Sequence, residues 1–329
     1  SYEEEFQGFG AAATVETPDG PCAAYTAFDV VDGPGRTFRY GFLCGFDRSD
    51  EEDAADVKSM ARQHITHVQF YDWMYRHEQL LPPQEDFTDL MGRSLSLRVV
   101  KEKIALCKKC GMRPIAYGAV YAASHAFYHD HPDWALCSGT GEPYDFIGKL
   151  KIMGLSGELP WRRHIVGQYA QAVSLGFEGI HIDTYGCPKW GETHYQGIKR
   201  AEQLEREFPG VIADTRRILA QKGHGDAVLV FNNVGNWPVD TVASAPLDAI
   251  YIEVWNPYDR FGDLGEIIED AKRCAPGKPV VLAAYIRPYL DGAVSEGQEA
   301  ALLTMAAISS HGAFHLALGE DNGILTQAY

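Results

Sequence analysis

The feature that most constrains the fold is a regular alternation of short apolar runs with amphipathic stretches, which begins near Thr37 and continues along the chain. The apolar runs have the length and the β-branched and aromatic content of strands, whereas the stretches between them carry apolar residues at the three- and four-residue spacing of helices. Strands that alternate with helices in this way build a parallel sheet. The predicted strands are residues 39–45, 66–71, 113–118, 179–183, 228–232, 249–254, 279–285 and 313–318.

The stretches between the strands predict helices at residues 52–63, 94–110, 161–175, 195–221, 264–273 and 295–310. Eight strands with intervening helices indicate an α/β fold of the (β/α)8 TIM barrel type. A doubly wound open sheet is the alternative, but the first strand is not followed by the GxGxxG turn of nucleotide-binding sheets. We therefore predict a (β/α)8 catalytic barrel over residues 37–329.

The two ends of the chain do not follow this alternation. Residues 1–36 are rich in Ala, Thr, Gly and Pro and contain one strand-like run at 22–31, which we interpret as a short N-terminal segment left from a preceding β-domain. Tyr329 follows the last predicted strand by about ten residues, too few for a complete outer helix. The expectation from sequence is a barrel truncated before its last helix.

Charge and hydropathy restrict the partners of the chain. The formal net charge of -16 opposes binding to nucleic acid or to an anionic membrane surface, because both require a basic surface. There is no apolar run long enough to predict a transmembrane helix, and the acidic start is unlike the basic beginning of a signal peptide. We expect a neutral or cationic ligand, no nucleic acid and no membrane, and leave the oligomeric state open.

Neither the cysteines nor the histidines predict a metal or a cofactor. Seven cysteines without a repeated spacing do not form a disulfide framework. The pair Cys107 and Cys110 has no second CxxC downstream, so we interpret it as part of a helix. His125, His129 and His131 are unevenly spaced and lack a convincing fourth ligand.

Polar and aromatic residues crowd the carboxyl ends of the predicted strands, where the sites of such barrels lie. The opposite strand ends carry nothing comparable. Carboxylates mixed with Tyr and Trp suit a sugar, because aromatic faces stack on the C–H surface of a pyranose; the absence of a GxxxxGK[ST] loop disfavours phosphoryl transfer. The candidate residues are Asp72, Trp73, His77, Tyr121, Asp183, Tyr185, Asn232, Asn233, Glu253, Trp255, Tyr285 and Glu320.

Asp183 and Glu253 are the candidate catalytic residues. Retaining glycosidases use one carboxylate as nucleophile and a second as general acid and then base, about 5 Å apart. Strands four and six are near neighbours in a barrel, so these two side chains can face each other despite their separation in sequence. We predict Asp183 as the nucleophile and Glu253, in a partly apolar pocket that includes Trp255, as the acid/base. The alternative is that Asp183 caps the next turn and Glu253 lies on the surface.

The other candidates each have a structural alternative. Asp72, Trp73 and His77 would hold hydroxyls of the sugar unit on the nonreducing side, or belong to a loop held by an Asp–Arg pair. Asn232 and Asn233 would hydrogen-bond the nucleophile or the sugar 2-hydroxyl, or serve as turn residues. The aromatic candidates would stack on sugar or plug the barrel mouth, and Glu320 would bind hydroxyls or orient a neighbour. The aromatic candidates are Tyr121, Tyr185, Trp255 and Tyr285.

Four motifs, in order along the chain, resemble glycoside hydrolase family 66, which contains endo-dextranases and cycloisomaltooligosaccharide glucanotransferases. They are Phe-Tyr-Asp-Trp at 70–73, Gly-Phe-Glu-Gly-Ile-His-Ile-Asp-Thr-Tyr-Gly at 176–186, Tyr-Ile-Glu-Val-Trp at 251–255 and His-Leu-Ala-Leu-Gly-Glu at 315–320. The resemblance implies a retaining barrel that acts on α-1,6-glucan, with Asp183 as nucleophile and Glu253 as acid/base. It also implies β-sandwich domains before and after the barrel, so residues 1–36 would be a sandwich remnant.

Within that family, the resemblance implies that the cyclising enzymes carry a carbohydrate-binding module inserted between the seventh strand and its helix. Here only about ten residues, 286–295, fill that position. This favours endo-acting hydrolysis of α-1,6-linkages in dextran, with an α-glucan or isomaltooligosaccharides as partner. A cyclising or transglycosylating enzyme, a non-catalytic glucan-binding barrel and a retaining α-galactosidase are the alternatives. The resemblance also implies an extracellular or cell-surface protein whose signal peptide is absent from this sequence.

Overall fold

The computed structural model describes residues 6–31, 36–288 and 294–318. The strands are β1 (Phe6–Thr17), β2 (Gly20–Val31), β3 (Tyr40–Leu43), β4 (His67–Phe70), β5 (Asp86–Thr88), β6 (Ser94–Ser96), β7 (Arg113–Ala119), β8 (Ala122–Ser124), β9 (Asp145–Phe146), β10 (Leu150–Ile152), β11 (Gly179–Asp183), β12 (Trp190–Tyr195), β13 (Ile198–Gln203), β14 (Val228–Val234), β15 (Ala249–Val254), β16 (Val280–Ala284), β17 (Phe314–His315) and β18 (Ala317–Leu318). The α-helices are α1 (Ala55–Arg62), α2 (Leu97–Lys109), α3 (His125–Asp130), α4 (Pro160–Leu175), α5 (Leu204–Gln221), α6 (Val239–Val242), α7 (Phe261–Cys274) and α8 (Val294–Ser310).

A parallel sheet with the order β17-β16-β15-β14-β11-β7-β4-β3-β18 forms the centre of the fold. The short strands β17 and β18 are two parts of one strand that is interrupted at Leu316. The first part pairs with β16, the second with β3, and the Leu316 amide donates to the Leu282 carbonyl, so the sheet curls into a barrel. The predicted (β/α)8 barrel is confirmed, and each predicted strand agrees with the structure to within two residues at either end.

Two apolar layers follow from the period-two alternation of the strands. The residues of β14 illustrate it, because Val228 and Val230 face the barrel interior whereas Leu229 and Phe231 pack outward against the helices. The interior cluster comes from the strands and their flanking residues and is small. It comprises Phe38, Tyr40, Phe42, Ile115, Val228, Val230, Ala249, Tyr251, Val281, Ala283 and Leu316.

The predicted helix at 195–221 is wrong over its first nine residues. Trp190–Tyr195 and Ile198–Gln203 pair instead as an antiparallel hairpin, and α5 begins at Leu204. The connection between the strands is a two-residue turn in which Gln196 and Gly197 have φ values of 53° and 74°. Two consecutive positive φ angles are typical of the two-residue turns that connect tight β-hairpins. The turn at these two residues therefore prevails over the apolar spacing that predicted a helix here.

The N-terminal residues form a hairpin rather than the isolated strand predicted at 22–31. Strands β1 and β2 pair antiparallel over their full length, which satisfies backbone groups that a single strand would leave open. An ion pair between Arg39 and Asp29 links the hairpin to the segment that enters the barrel. The division of the chain at residue 36 stays a prediction.

Candidate active site

The strand alternation that builds the barrel interior also brings polar side chains to its carboxyl end. On β15, Ala249 and Tyr251 face inward, and the next position in that series is Glu253. The same step leads from Val230 to Asn232 on β14, and Asp183 ends β11. Because β11, β14 and β15 are consecutive in the sheet, Asn232 lies between the two carboxyls.

One amide nitrogen links Asp183 to Glu253. Nδ2 of Asn232 donates to Oδ1 of Asp183 at 2.7 Å and to Oε2 of Glu253 at 3.0 Å. The separation of these two oxygens cannot exceed the sum of the two distances. That upper limit is close to the roughly 5–5.5 Å of retaining glycosidases and below the roughly 6.5–9.5 Å of inverting ones.

Each carboxyl also has a hydrogen-bond partner on its other oxygen. The hydroxyl of Tyr117, on β7, donates to Oδ2 of Asp183 at 2.7 Å. Tyr285, directly after β16, lies with its hydroxyl 3.2 Å from Oε1 of Glu253, and Trp255 also hydrogen-bonds this carboxyl. The side chains of strands three to seven of the barrel therefore hold the pair in place.

Burial raises the pKa of both carboxyls. The pKa of Asp183 is raised to about 7, first by burial and then by the negative charge of Glu253, against the hydrogen bonds from Asn232 and Tyr117, which lower it. Burial also raises the pKa of Glu253, against hydrogen bonds from Asn232, Trp255 and Tyr285. Two buried carboxyls this close disfavour double ionisation, so the pair retains a proton near neutral pH.

A pocket adjoins the candidate pair Asp183 and Glu253, with Tyr117 as a shared wall. Three predicted residues, Asp72, His77 and Tyr185, line it. Nδ1 of His77 and the hydroxyl of Tyr185 are buried and have no hydrogen-bond partner among the described residues, although both atoms can hydrogen-bond. Tyr185 also stacks face to face on Phe146 with ring centroids 4.0 Å apart. A ligand with several hydroxyl groups would satisfy these polar atoms.

Three predicted residues lie in the core, and we no longer expect them to contact a sugar. The indole of Trp73 is fully buried and donates to the Tyr117 carbonyl at 3.1 Å. Asn233 follows the inward-facing Asn232 by one position, so it points outward and donates to the Tyr251 carbonyl at 2.8 Å. Tyr121 is fully buried, donates to the Cys187 carbonyl and accepts from the Tyr185 amide.

Two predicted aromatic residues lie at the rim beside Glu253. The side chain of Trp255 is 42% exposed, and its ring centroid is 5.8 Å from that of Tyr285. An exposed indole next to this candidate general acid is suited to stack on a sugar ring. Glu320, the remaining candidate, lies outside the described residues.

The sequence analysis missed Tyr117, Asp89 and Arg93. Tyr117 has a sequence signal, because it follows the inward-facing Ile115 by two positions and so points into the barrel. Asp89 and Arg93 line the pocket from the connection between β5 and β6, which lies outside the strand ends that we searched.

Within the described residues, no group of three or more His, Cys, Asp or Glu side chains could hold a metal ion. The histidines after the third barrel strand have other contacts. His125 lies 2.8 Å from a carboxylate oxygen of Asp145, and His131 stacks on Trp134. No helix in the described part of the chain has the length and apolar character needed to cross a membrane.

A parallel barrel with two bridged carboxyls at the carboxyl ends of its strands has the arrangement that (β/α)8 glycosidases use. The family model described as glycosyl hydrolase family 66 matches residues 2–329, so the chain belongs to that family. The resemblance found in the motifs is thereby confirmed.

Two curated relatives are cycloisomaltooligosaccharide glucanotransferases of Niallia circulans, 26% and 27% identical over 313 and 312 residues. Each alignment covers 88% of this chain and 32% of the relative, so the chain spans about a third of the length of these proteins. A solved structure of a cycloisomaltooligosaccharide glucanotransferase from Paenibacillus sp., in complex with cycloisomaltoheptaose, superposes with a TM-score of 0.75 at 25% identity. That match covers 86% of this chain and 43% of the other.

Proposed function

We propose that this chain carries the catalytic barrel of an endo-acting enzyme that cleaves α-1,6-glucosidic linkages of dextran with retention of configuration. The observation that carries the proposal is the sharing of one Asn232 nitrogen by Asp183 and Glu253, which limits the separation of their oxygens to a value compatible with a double displacement. The aromatic rim and the polar pocket on either side of the pair suit a chain of glucosyl units.

In the first step, Oδ2 or Oδ1 of the Asp183 carboxylate attacks the anomeric carbon while Glu253 gives its proton to the departing glycosidic oxygen. A covalent glucosyl ester on Asp183 forms, and the leaving glucan departs with a free hydroxyl. In the second step, Glu253 accepts a proton from the incoming water or sugar hydroxyl, whose oxygen displaces Asp183. Both carboxyls then return to their starting protonation states.

The retained proton must lie on Glu253 when the reaction begins. Positive charge develops at the anomeric carbon in the transition state, and this charge favours the anionic form of the adjacent Asp183. Tyr117 and Asn232 donate to the same carboxylate and favour its anion as well. In the complex with substrate the proton then lies on Glu253, whose pKa burial raises, whereas in the free protein Asp183 keeps a proton up to about pH 7.

The fate of the glucosyl ester distinguishes hydrolysis from transfer. The short connection at residues 286–295 favours hydrolysis, because the resemblance associates cyclisation with a module inserted there. The named function of the curated relatives favours transfer to a sugar hydroxyl, with cyclisation as its intramolecular form. We propose dextran hydrolysis first and transfer second, in an extracellular or cell-surface protein.

Incubation of the chain with dextran and, separately, with starch tests the proposal by the release of reducing ends and the size of the products. We expect isomaltooligosaccharides from dextran and little from starch. Asp183→Asn should abolish release, whereas Asp133→Asn, at an exposed position, should leave it unchanged.

Undiminished turnover in folded Asp183→Asn would overturn the catalytic assignment, and dextran binding without any product would point to a non-catalytic glucan-binding barrel. Cyclic or lengthened products would favour the transferase. Activity confined to α-galactosides would show that the substrate is an α-galactoside rather than a glucan.

A further inference from the structure

Arg93 is held in a fixed position between two carboxylates in the pocket next to Asp183. Its Nε donates to Oδ2 of Asp89 at 2.7 Å, and its backbone amide donates to Oδ1 of the same residue at 2.8 Å. The Asp89 side chain is only 5% exposed, whereas the Arg93 side chain is 44% exposed, so the carboxylate is the buried partner of this pair. Nη2 of Arg93 then reaches Oδ2 of Asp72 at 2.8 Å.

Asp72 has a left-handed backbone conformation, which few non-glycine residues adopt, although aspartate does so more often than most. It follows β4 directly, and its φ of 50° lies in the left-handed region, which non-glycine residues adopt at a cost in free energy. The ion pair with Arg93 helps to hold a residue that the local backbone would otherwise leave strained. Such strain in a pocket wall is a feature of ligand sites.

The charge of Asp72 depends on Arg93. Burial raises the pKa of the Asp72 carboxyl, and the Arg93 guanidinium is the main influence that lowers it again. Asp72 also faces the titratable side chains of Asp89, Tyr117, Asp183 and Tyr185. None of these is a cation, so within this group Arg93 supplies the positive charge.

The pocket contains polar atoms with no protein partner beside this ion pair. Nδ1 of His77 and the Tyr185 hydroxyl lack hydrogen-bond partners among the described residues, and both line the pocket together with Asp72. A carboxylate accepts hydrogen bonds from two adjacent hydroxyls of a pyranose, and the two other groups can bind further hydroxyls. The chemistry of the pocket is that of one sugar unit.

We propose that Arg93 is a positioning residue, which keeps the Asp72 carboxylate ionised and directed into this pocket to bind hydroxyls of the glucosyl unit next to the cleaved bond. The inference rests on the proposed function, because it takes a glucan as the ligand. Arg93 itself does not act on the reacting atoms.

The alternative is that Arg93 merely fastens the connection between β5 and β6 to the barrel. Arg48 offers a matched control, because it also forms an Arg–Asp pair with this hairpin, through Asp86 of β5. The side chains of that pair are 72% and 46% exposed and do not line the pocket. Loss of a fastening contact alone should therefore affect Arg48→Met and Arg93→Met alike.

The test measures the affinity of isomaltotriose by calorimetry in the inactive Asp183→Asn background, and kcat/KM on dextran in the active one. Variants are Arg93→Met, Arg93→Lys, Asp72→Asn, the double variant Arg93→Met/Asp72→Asn, and Arg48→Met. We expect Arg93→Met and Asp72→Asn each to lower affinity and kcat/KM at least about tenfold. The double variant should be no worse than Asp72→Asn alone, Arg93→Lys should recover part of the loss, and Arg48→Met should match the parent.

Circular dichroism and thermal melting identify variants that have lost the fold. If Arg93→Met does not fold, Arg93→Lys is the milder substitution with which to test the same position. Parent-like affinity and kcat/KM in folded Arg93→Met, or independent additive losses in the double variant, would overturn the inference. Failure of the proposed function would give different results from failure of the Arg93 inference. In that case Asp183→Asn would turn over dextran like the parent, or the parent would neither bind isomaltotriose nor cleave dextran.

Discussion

The hydroxyl of Tyr117 donates a 2.7 Å hydrogen bond to Oδ2 of Asp183, from the strand next to the one that ends in this carboxylate. Asn232 binds the other oxygen from the opposite side. The candidate nucleophile is therefore held between its two neighbouring strands, and both donors favour its anionic form.

Tyr117→Phe should lower kcat/KM on dextran by about tenfold to a hundredfold, because a hydrogen bond to a charged group contributes about 1.5–3 kcal/mol. Loss of this donor also raises the pKa of Asp183, so the acidic limb of the pH profile of kcat/KM should move to higher pH. Steady-state kinetics across pH provide the measurement.

The control for this prediction is Tyr169→Phe. Tyr169 is also buried and donates to the Gly118 carbonyl at 3.2 Å, so the substitution should cost about 1 kcal/mol of folding free energy. Its kcat/KM should stay near that of the parent. An unshifted acidic limb in Tyr117→Phe would contradict the role of this hydroxyl.

Asn232→Asp should reduce kcat/KM at neutral pH by about a hundredfold or more. The substitution removes the N–H donors to both carboxyls and adds a third acidic group between them, which raises the pKa of all three. Asn232→Ala, which removes the donors without adding a charge, should be less damaging. Kinetics of the two purified variants provide the comparison.

A substitution of the neighbouring Asn233 is the control that distinguishes a loss of activity from a loss of stability. Asn233→Ser should lower the melting temperature, since its amide bonds the Phe231 and Tyr251 carbonyls in the core, but the folded fraction should keep its kcat/KM. Equal losses of activity in Asn232→Ala and Asn233→Ser would argue against a specific role for Asn232.

The raised pKa of Asp183 predicts that the protein becomes less stable as pH rises from about 4 to about 7. The folded state keeps the proton to about pH 7, whereas the unfolded chain releases it near pH 4, so increasing pH favours unfolding within this window and has little further effect above it. Asp183→Asn removes this titration. It should stabilise the fold by about 1–3 kcal/mol above pH 7 and by little near pH 4.

Thermal or denaturant unfolding at several pH values measures this difference. Asp133→Asn, which changes an exposed carboxylate, should follow the pH dependence of the parent. A parent-like stability of Asp183→Asn throughout the range would mean that burial does not raise the pKa of Asp183.

The barrel and the placement of Asp183 and Glu253 at its carboxyl end could be predicted because both depend on periodicity. Strands with a period of two and helices with a period near four are visible in the residues, and the carboxyl end of each strand is the place to search for a site. Asp183 and Glu253 stand at two of those ends. Tyr117 was within reach of the same argument, because its phase relative to Ile115 directs it inward.

The burial of side chains in the loops that follow the strands could not be predicted in this way. Trp73 and Tyr121 follow strands, as site residues do, yet their rings fill the core, because the path of the backbone after a strand ends is not periodic. The hairpin β12–β13 was misread for a related reason, since Gln196 and Gly197 form a turn within a stretch that has helical spacing.

The sequence by itself determined the order and the phase of the eight barrel strands and the family, because these follow from local residue patterns and short motifs. Only the tertiary structure decided that Asn232 bridges the two carboxyls and that Arg93 reaches Asp72. The physical reason is that each contact joins residues about twenty or more positions apart. Its existence depends on how neighbouring strands align and where their loops pack, and neither depends on the pattern of any single segment.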